Sequence, residues 1–201
     1  MSRGIRRGWP ANQSRNERDA VDRDLRLVDG RRIHIRPALP EDAGAVLAYL
    51  KKVGGESNNL TFGPEGLGLS EAEEREYLGA VAASDNALVL LALYEDAIVG
   101  ALSFEGGPRP RIRHTGEFGI SVTESFTGCG IGRVLLEMLI EWAEQSGVIR
   151  KLNLRVRVDN VAAIRLYERL GWAVEGRVTR DQGIDGVYTD TFFMGRPVDG
   201  A

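Results

Sequence analysis

The sequence predicts an α+β protein, a mixed β-sheet with helices on its faces, in the order β-α-α-β-β-β-α-β-α-β-β. Three observations lead there. Short segments alternate apolar and polar residues from Ile33 onward, the period of half-buried strands. Between them run stretches with apolar residues three and four apart, the spacing of a helix face. Gly128, Gly130 and Gly132 stand between one strand pattern and one helix pattern, where the chain must turn sharply.

The elements follow in order. Ile33 and Ile35 alternate with charged residues, and Pro37 stops that strand. Pro40, Glu41 and Asp42 mark the first turn of a helix that the pair Gly54-Gly55 ends. A Gly-, Asn- and Pro-rich loop follows, and Ser70 with Glu73 forms a capping box that opens a second helix. Residues 86–96 and 97–107 read as a hairpin around a tight Glu95-Asp96 turn. In the next strand Phe118, Ile120 and Val122 alternate with Glu117, Gly119 and Ser121. After the glycines, Ile131, Val134, Leu135, Met138, Leu139 and Trp142 make one helix face. Leu152, Leu154, Val156 and Val158 share one side of a strand; Asp159 is the expected cap of a short helix and Gly171 its stop. Residues from Trp172 on read as a hairpin around Gly183 to Gly186.

At 201 residues, with 43% hydrophobic and 27% charged residues, the chain suits one domain, expected over 26–198. Residues 1–25, with six arginines against four acidic residues and little that is apolar, read as a flexible polar arm. A net charge of −3 lacks the basic footprint of a nucleic-acid or anionic-membrane partner, so neither is expected. No apolar run approaches the roughly 20 residues of a membrane span, and the arm has no apolar signal core. The single cysteine excludes an internal disulfide, so the expected location is cytoplasmic. Two histidines and one cysteine, scattered along the chain, predict no metal site.

The glycines carry the functional question. A P-loop needs a lysine after its last glycine, and none follows Gly132. A dinucleotide fingerprint has GxGxxG near the first strand of its unit, whereas here the spacing is GxGxG and lies in the second half of the chain. Two readings stay open: a tight turn without ligand, and a cradle for the pyrophosphate of coenzyme A, whose backbone N–H groups converge at a helix N-terminus.

Thr127-Gly128-Cys129-Gly130-Ile131-Gly132 resembles the core motif of the GNAT superfamily of N-acetyltransferases: Arg or Gln, two residues, Gly, one residue, Gly or Ala. Both motif glycines match, and threonine replaces the long polar first residue. Residues 154–172, with Asn160 after a strand and then Leu166-Tyr167-Glu168, Gly171 and Trp172, resemble the family's later strand-helix motif. The ordered pair makes the resemblance specific, over about residues 31–196.

The resemblance implies a GNAT-like fold and acetyl transfer from acetyl-CoA to an amine in a ternary complex. It implies cofactor contacts from Ile120, Ser121 and Val122, where the strands splay, and from Thr127, Gly128, Cys129, Gly130, Ile131, Gly132 and Arg133. Asn160 and Ala163 follow at the next helix start, Asn160 serving as cofactor ligand or as plain helix start. Arg169 is a phosphate ligand or a solvated charge. Tyr167 maps onto the general acid. Glu117 is the first candidate base and His114 the second. The loop after the first helix is implied to line the acceptor site. There Glu56, Asn58 and Phe62 are available, and Glu56 with Tyr188 and Asp190 of the last hairpin forms an anionic pocket for a cationic amine, or the loop is solvated and the hairpin residues are ordinary polar ones. The expected partner is a small-molecule amine. A protein N-terminal acetyltransferase of the ribosomal-protein type and a catalytically silent acetyl-CoA-binding module are the alternatives. The last hairpin, with Tyr188, Phe192, Phe193 and Met194, is either a homodimer edge or simply core-facing.

Overall fold

The computed structural model describes residues 22 to 198. Strands β1 (Arg23–Arg26), β2 (Arg32–Pro37), β3 (Ala87–Tyr94), β4 (Ala97–Gly106), β5 (Thr115–Val122), β6 (Lys151–Arg157), β7 (Ala173–Ile184) and β8 (Val187–Pro197) form one sheet. Its order is β1-β2-β3-β4-β5-β6-β8-β7, and only β5 and β6 run parallel. Helices α1 (Ala43–Glu56) and α2 (Glu71–Ala83) cover one face; α3 (Ile131–Gln145) and α4 (Val161–Arg169) cover the other. The mixed sheet expected from the alternating segments is therefore present.

Strand alternation sorts the two cores. Leu88, Leu90, Leu102, Phe104, Phe118, Leu152, Leu154 and Val156 pack on Leu135, Met138 and Leu139 of α3. Val89 and Leu91 point the other way and meet Val46 of α1 and Leu78 of α2. The α3 face contains the expected apolar residues, with Leu136 and Ala143 buried in addition. The Ser70–Glu73 capping box forms, and both predicted hairpins close on left-handed pairs, Glu95-Asp96 and Asp185-Gly186.

Three local expectations are corrected. Residues 1–21 of the expected arm lie outside the described residues, but Arg23–Arg26, placed largely in that arm, is a strand paired with β2. Only Leu25 in it is apolar, so alternation had no signal to give. Helix α1 does not end at Gly54-Gly55; it continues to Glu56. A Cβ on Gly54 would lie 2.0 Å from the carbonyl oxygen of Gly63, so this glycine admits a close backbone approach. The cap of α4 is Asn160, whose side chain accepts from the Ala163 N–H, while Asp159 pairs with Arg157.

Candidate active site

The loop from Thr123 to Gly130 joins β5 to α3. Gly128 and Gly130 have φ of +79° and +96°, and a Cβ on either would meet nothing within 4 Å. Both glycines therefore border open space. Gly130 is the cap of α3 and offers no side chain to the first turn. Among the described residues, the N–H groups of Gly128, Gly130, Ile131, Gly132 and Arg133 donate to no protein acceptor. Five free donors at a helix N-terminus, four of them on exposed or half-exposed residues and one on buried Ile131, fit a diphosphate, so the coenzyme A group suits the residues present. Thr127 turns its hydroxyl to the Thr123 carbonyl at 3.4 Å, and Arg133 pairs along the helix with Glu137 at 2.8 Å.

Beside this cradle the sheet opens. β5 pairs with β6 only from Thr115 to Glu117, opposite Lys151 to Asn153. Beyond that, β5 stays paired with β4 as far as Val122, and β6 stays paired with β8. Among the described residues, the edge of β5 from Phe118 to Val122 thus has no strand partner on the β6 side. The gap is a wedge with free backbone groups on its walls, suited to an extended ligand that adds as a strand. Gly132 lies against Ile120 and Val122, so the cradle and the wedge are continuous.

Tyr167 of α4 borders the wedge. Its ring is buried and packs edge-on against Phe118 and Trp172 at 6.0 and 6.2 Å between centroids. Phe118 and Trp172 are themselves 5.4 Å apart, and the Trp172 indole N–H donates to the Leu152 carbonyl. These two rings fix the phenol's direction, yet its hydroxyl has no partner among the described residues. Burial pushes the phenol up to about 12.

On the opposite face, Ser121 accepts or donates a hydrogen bond with the Tyr49 hydroxyl of α1 at 2.9 Å. Glu117 shares this face and lies 3.5 Å from the Arg155 guanidinium, which also pairs with Asp181 at 3.2 Å. The chain leaving α1 spans the mouth of the wedge: Glu56 accepts from the Glu124 N–H at 2.8 Å, and the Asn58 carbonyl accepts from Arg157 at 3.2 Å. Phe62 lies against Gly54 of α1.

The model of the Acetyltransferase (GNAT) family matches residues 59–172, more than half of the chain. The chain belongs to the GNAT acetyltransferase family. This GNAT chain is 31% identical over 107 residues to the L-amino acid N-acetyltransferase AaaT of Escherichia coli K12, covering 53% of itself and 66% of that protein. It is 51% identical over 55 residues to the ribosomal protein bS18-alanine N-acetyltransferase of Salmonella typhimurium LT2, covering 27% of itself and 36% of that protein. It thus spans less than two thirds of the length of these curated relatives. An acetyltransferase of the GNAT family from Streptococcus pneumoniae has a solved structure at 34% identity and a TM-score of 0.80. That alignment covers 83% of this chain and 99% of that one.

The structure of the GNAT chain brings some expected site residues together and separates others. Ile120, Val122, Gly128, Gly130, Ile131 and Gly132 gather at the wedge and cradle. Ser121 turns to the α1 face. Asn160 uses its side-chain oxygen as a helix cap for Ala163. Arg169 is exposed at the far end of α4, about 13 Å of helix from Asn160. His114 precedes β5, exposed, and its carbonyl receives the Arg150 and Lys151 N–H groups; about 26 Å of strand separates it from Val122. Asp190 does not join Glu56. The alternation of β8 puts Asp190 and Tyr188 on the Phe192 and Met194 side, opposite Ser121 and Tyr49. The Asp190 carboxylate instead receives the Arg180 N–H and the Arg177 guanidinium, bracing an Arg180 held at φ +54°. Cys129 contacts Arg31 at 3.0 Å and Asp29 at 3.3 Å. Sequence reading missed Arg31, Tyr49 and Arg157, because pairings across 72 to 99 positions leave no local pattern.

Proposed function

We propose that this GNAT chain transfers the acetyl group of acetyl-CoA to a primary amine of a small molecule. The observation that carries this reading is the continuity of two features: the strandless edge of β5 from Phe118 to Val122 and the five free N–H groups of the Gly128–Arg133 cradle. The residues match a bound diphosphate and an extended pantetheine arm in that order along the wedge. Acetyl-CoA, when bound, supplies an acetyl group activated as a thioester.

The chain's own residues divide the remaining work. The cradle N–H groups bind the diphosphate, and the free edge of β5 orients the arm. Tyr167 holds a proton on its hydroxyl throughout the neutral range, because burial keeps that phenol from ionising until about pH 12. With acetyl-CoA bound, that hydroxyl would supply the proton that the leaving thiolate needs. Glu117 takes the proton the attacking amine must lose, directly or through water; it lies on the face toward α1, and His114 stands off the strand. The bridging segment of Glu56 and Asn58, with Phe62 beyond it, lines the acceptor side. Likeness to an L-amino acid N-acetyltransferase supports a small amine-bearing acceptor.

The 51% identity of a shorter segment to a ribosomal protein bS18-alanine N-acetyltransferase supports a second reading, in which the acceptor is a protein N-terminus. Thermal melting with acetyl-CoA, coenzyme A and NAD tests the cofactor. Binding to the native state alone raises stability by ~2.7 kcal/mol at a hundredfold excess over Kd. A rise with both coenzyme A forms and none with NAD is expected. Thiol release with free amino acids and polyamines, against N-terminal peptides, then separates the two acceptors: turnover only on peptides overturns the small-molecule reading.

A further inference from the structure

We propose that Arg31, in the turn between β1 and β2, is a positioning residue that clips the diphosphate loop into its binding shape. The inference rests on the reading of Gly128–Arg133 as the coenzyme A cradle. The glycine half of the loop holds itself weakly. The first half closes on itself, with Phe126 N–H to the Thr123 carbonyl and Thr127 N–H to the Glu124 carbonyl, both at 3.0 Å, whereas beyond Thr127 the backbone supplies only a long bond from the Cys129 N–H to the Phe126 carbonyl at 3.4 Å. Two of its residues, Gly128 and Gly130, sit in the left-handed region, which glycine enters cheaply and leaves as cheaply. Thr127 and Arg133 are turned away to Thr123 and Glu137.

Arg31 supplies what the loop lacks. Both terminal nitrogens of its guanidinium reach the Ser125 carbonyl at 3.4 Å, and one reaches Cys129 Sγ at 3.0 Å. The plane lies over the Phe126 ring, with Cζ 3.7 Å from the centroid, and Phe126 is anchored in the core beside Tyr94. Asp29 fixes the guanidinium from behind, accepting from Nε at 2.7 Å, and also meets Cys129 Sγ at 3.3 Å. One forked, stacked side chain therefore fastens residues 125, 126 and 129 together, on either side of the first free donor, Gly128, and directly before the other four. A planar fork does this where a point charge does not. With the clip removed, the loop must be ordered when the ligand binds, and that entropy is subtracted from affinity for the phosphates alone.

The test compares coenzyme A with pantetheine, which has the arm without the diphosphate, in NMR-detected titrations of the full chain. Arg31→Ala is expected to weaken coenzyme A about tenfold and leave pantetheine unchanged. Amide exchange over residues 128–133 of the ligand-free protein is expected to accelerate. Arg31→Lys keeps the charge but loses fork and stack, so it should behave as the alanine variant does. Asp29→Ala, which leaves Arg31 in place but unbraced, should give a smaller loss of the same kind. Equal weakening of both ligands, unchanged coenzyme A binding, or a lysine variant that binds as the parent does would each overturn the positioning role. A parent chain that binds no coenzyme A would instead overturn the cradle reading on which the inference rests.

Discussion

The carboxylate of Glu56 accepts a hydrogen bond from the backbone N–H of Glu124 at 2.8 Å, joining the last residue of α1 to the loop that forms the cradle. One residue pair thus links the end of α1 to the loop between β5 and α3. Asn58, two positions on, is held to β6 through Arg157, so the same short segment is fastened on both walls.

Breaking the first fastening should affect both ligands. Glu56→Ala removes a charge-assisted bond worth about 1 kcal/mol at a half-exposed site, with a small drop in melting temperature. The KM for acetyl-CoA and for the amine should both rise severalfold. Glu56→Gln still offers an oxygen to the N–H and should stay near the parent. Steady-state kinetics on the two variants decides this: equal defects in both would mean that the charge, not the bond, matters.

Gly54→Ala tests the correction at the end of α1. Helix propensity alone predicts a gain from alanine, by about 1 kcal/mol. The Gly63 carbonyl 2.0 Å from the new Cβ predicts the reverse, because the loop after α1 must lift away. A net loss of about 1–3 kcal/mol in urea unfolding is expected. A more stable variant would show that the loop does not lie against the helix.

Much of this protein was legible because its strands are half-buried and its helices amphipathic. Phe118, Ile120 and Val122 on one side of β5, and Leu135, Met138 and Leu139 on one side of α3, announce their elements by spacing. The sharp turn before α3 was legible because the left-handed backbone at Gly128 and Gly130 favours glycine. β1 was not, since a four-residue edge strand with one apolar side chain has no period to read. Gly54-Gly55 misled because the same residue serves helix ends and close contacts, and only the fold says which. Asp190 misled because it shares a hairpin with Tyr188 but lies across the sheet from Glu56; strand parity relative to a distant helix is a tertiary property.

At Gly130 the left-handed backbone and the open space beside it lead to one expectation. Glutamate there strains φ and extends a negative group over the donors that a diphosphate needs. Gly130→Glu should abolish coenzyme A binding in calorimetry while the circular dichroism spectrum persists. A folded variant with parental affinity would remove the loop from the cofactor site.

Buried tyrosines, Tyr49 and Tyr167 among them, are expected to lower stability at alkaline pH. Burial pushes both phenols from 10.0 to about 12 in the folded chain. Below pH 10 they are protonated in both states and add no slope. Between pH 10 and 12 the unfolded chain releases their protons and the folded chain does not, so stability declines as pH rises. Each contributes a loss of about 2 kcal/mol across that window. Urea midpoints measured from pH 8 to 11.5 should show the decline, and it should be shallower in Tyr167→Phe. Parallel curves would mean that Tyr167 ionises freely in the folded protein.

Tyr167→Phe also separates chemistry from packing. Phenylalanine keeps the ring contacts with Phe118 and Trp172, and the deleted hydroxyl has no described partner to strand, so the melting temperature at neutral pH should hold. Affinity for acetyl-CoA should hold as well, since the phenol touches neither the cradle nor the free β5 edge by hydrogen bond. On the proposed reading, what disappears is the proton for the leaving thiolate, and general-acid catalysis of this kind supplies about 100-fold or more. A fall in kcat of that order, with acetyl-CoA KM within about twofold, is the expected pattern under saturating amine. In the parent, kcat should stay high until the phenol begins to ionise far above neutrality, and the variant should lose that limb of the profile. Undiminished turnover in a folded Tyr167→Phe would assign the proton to water and leave the buried tyrosine as a packing residue.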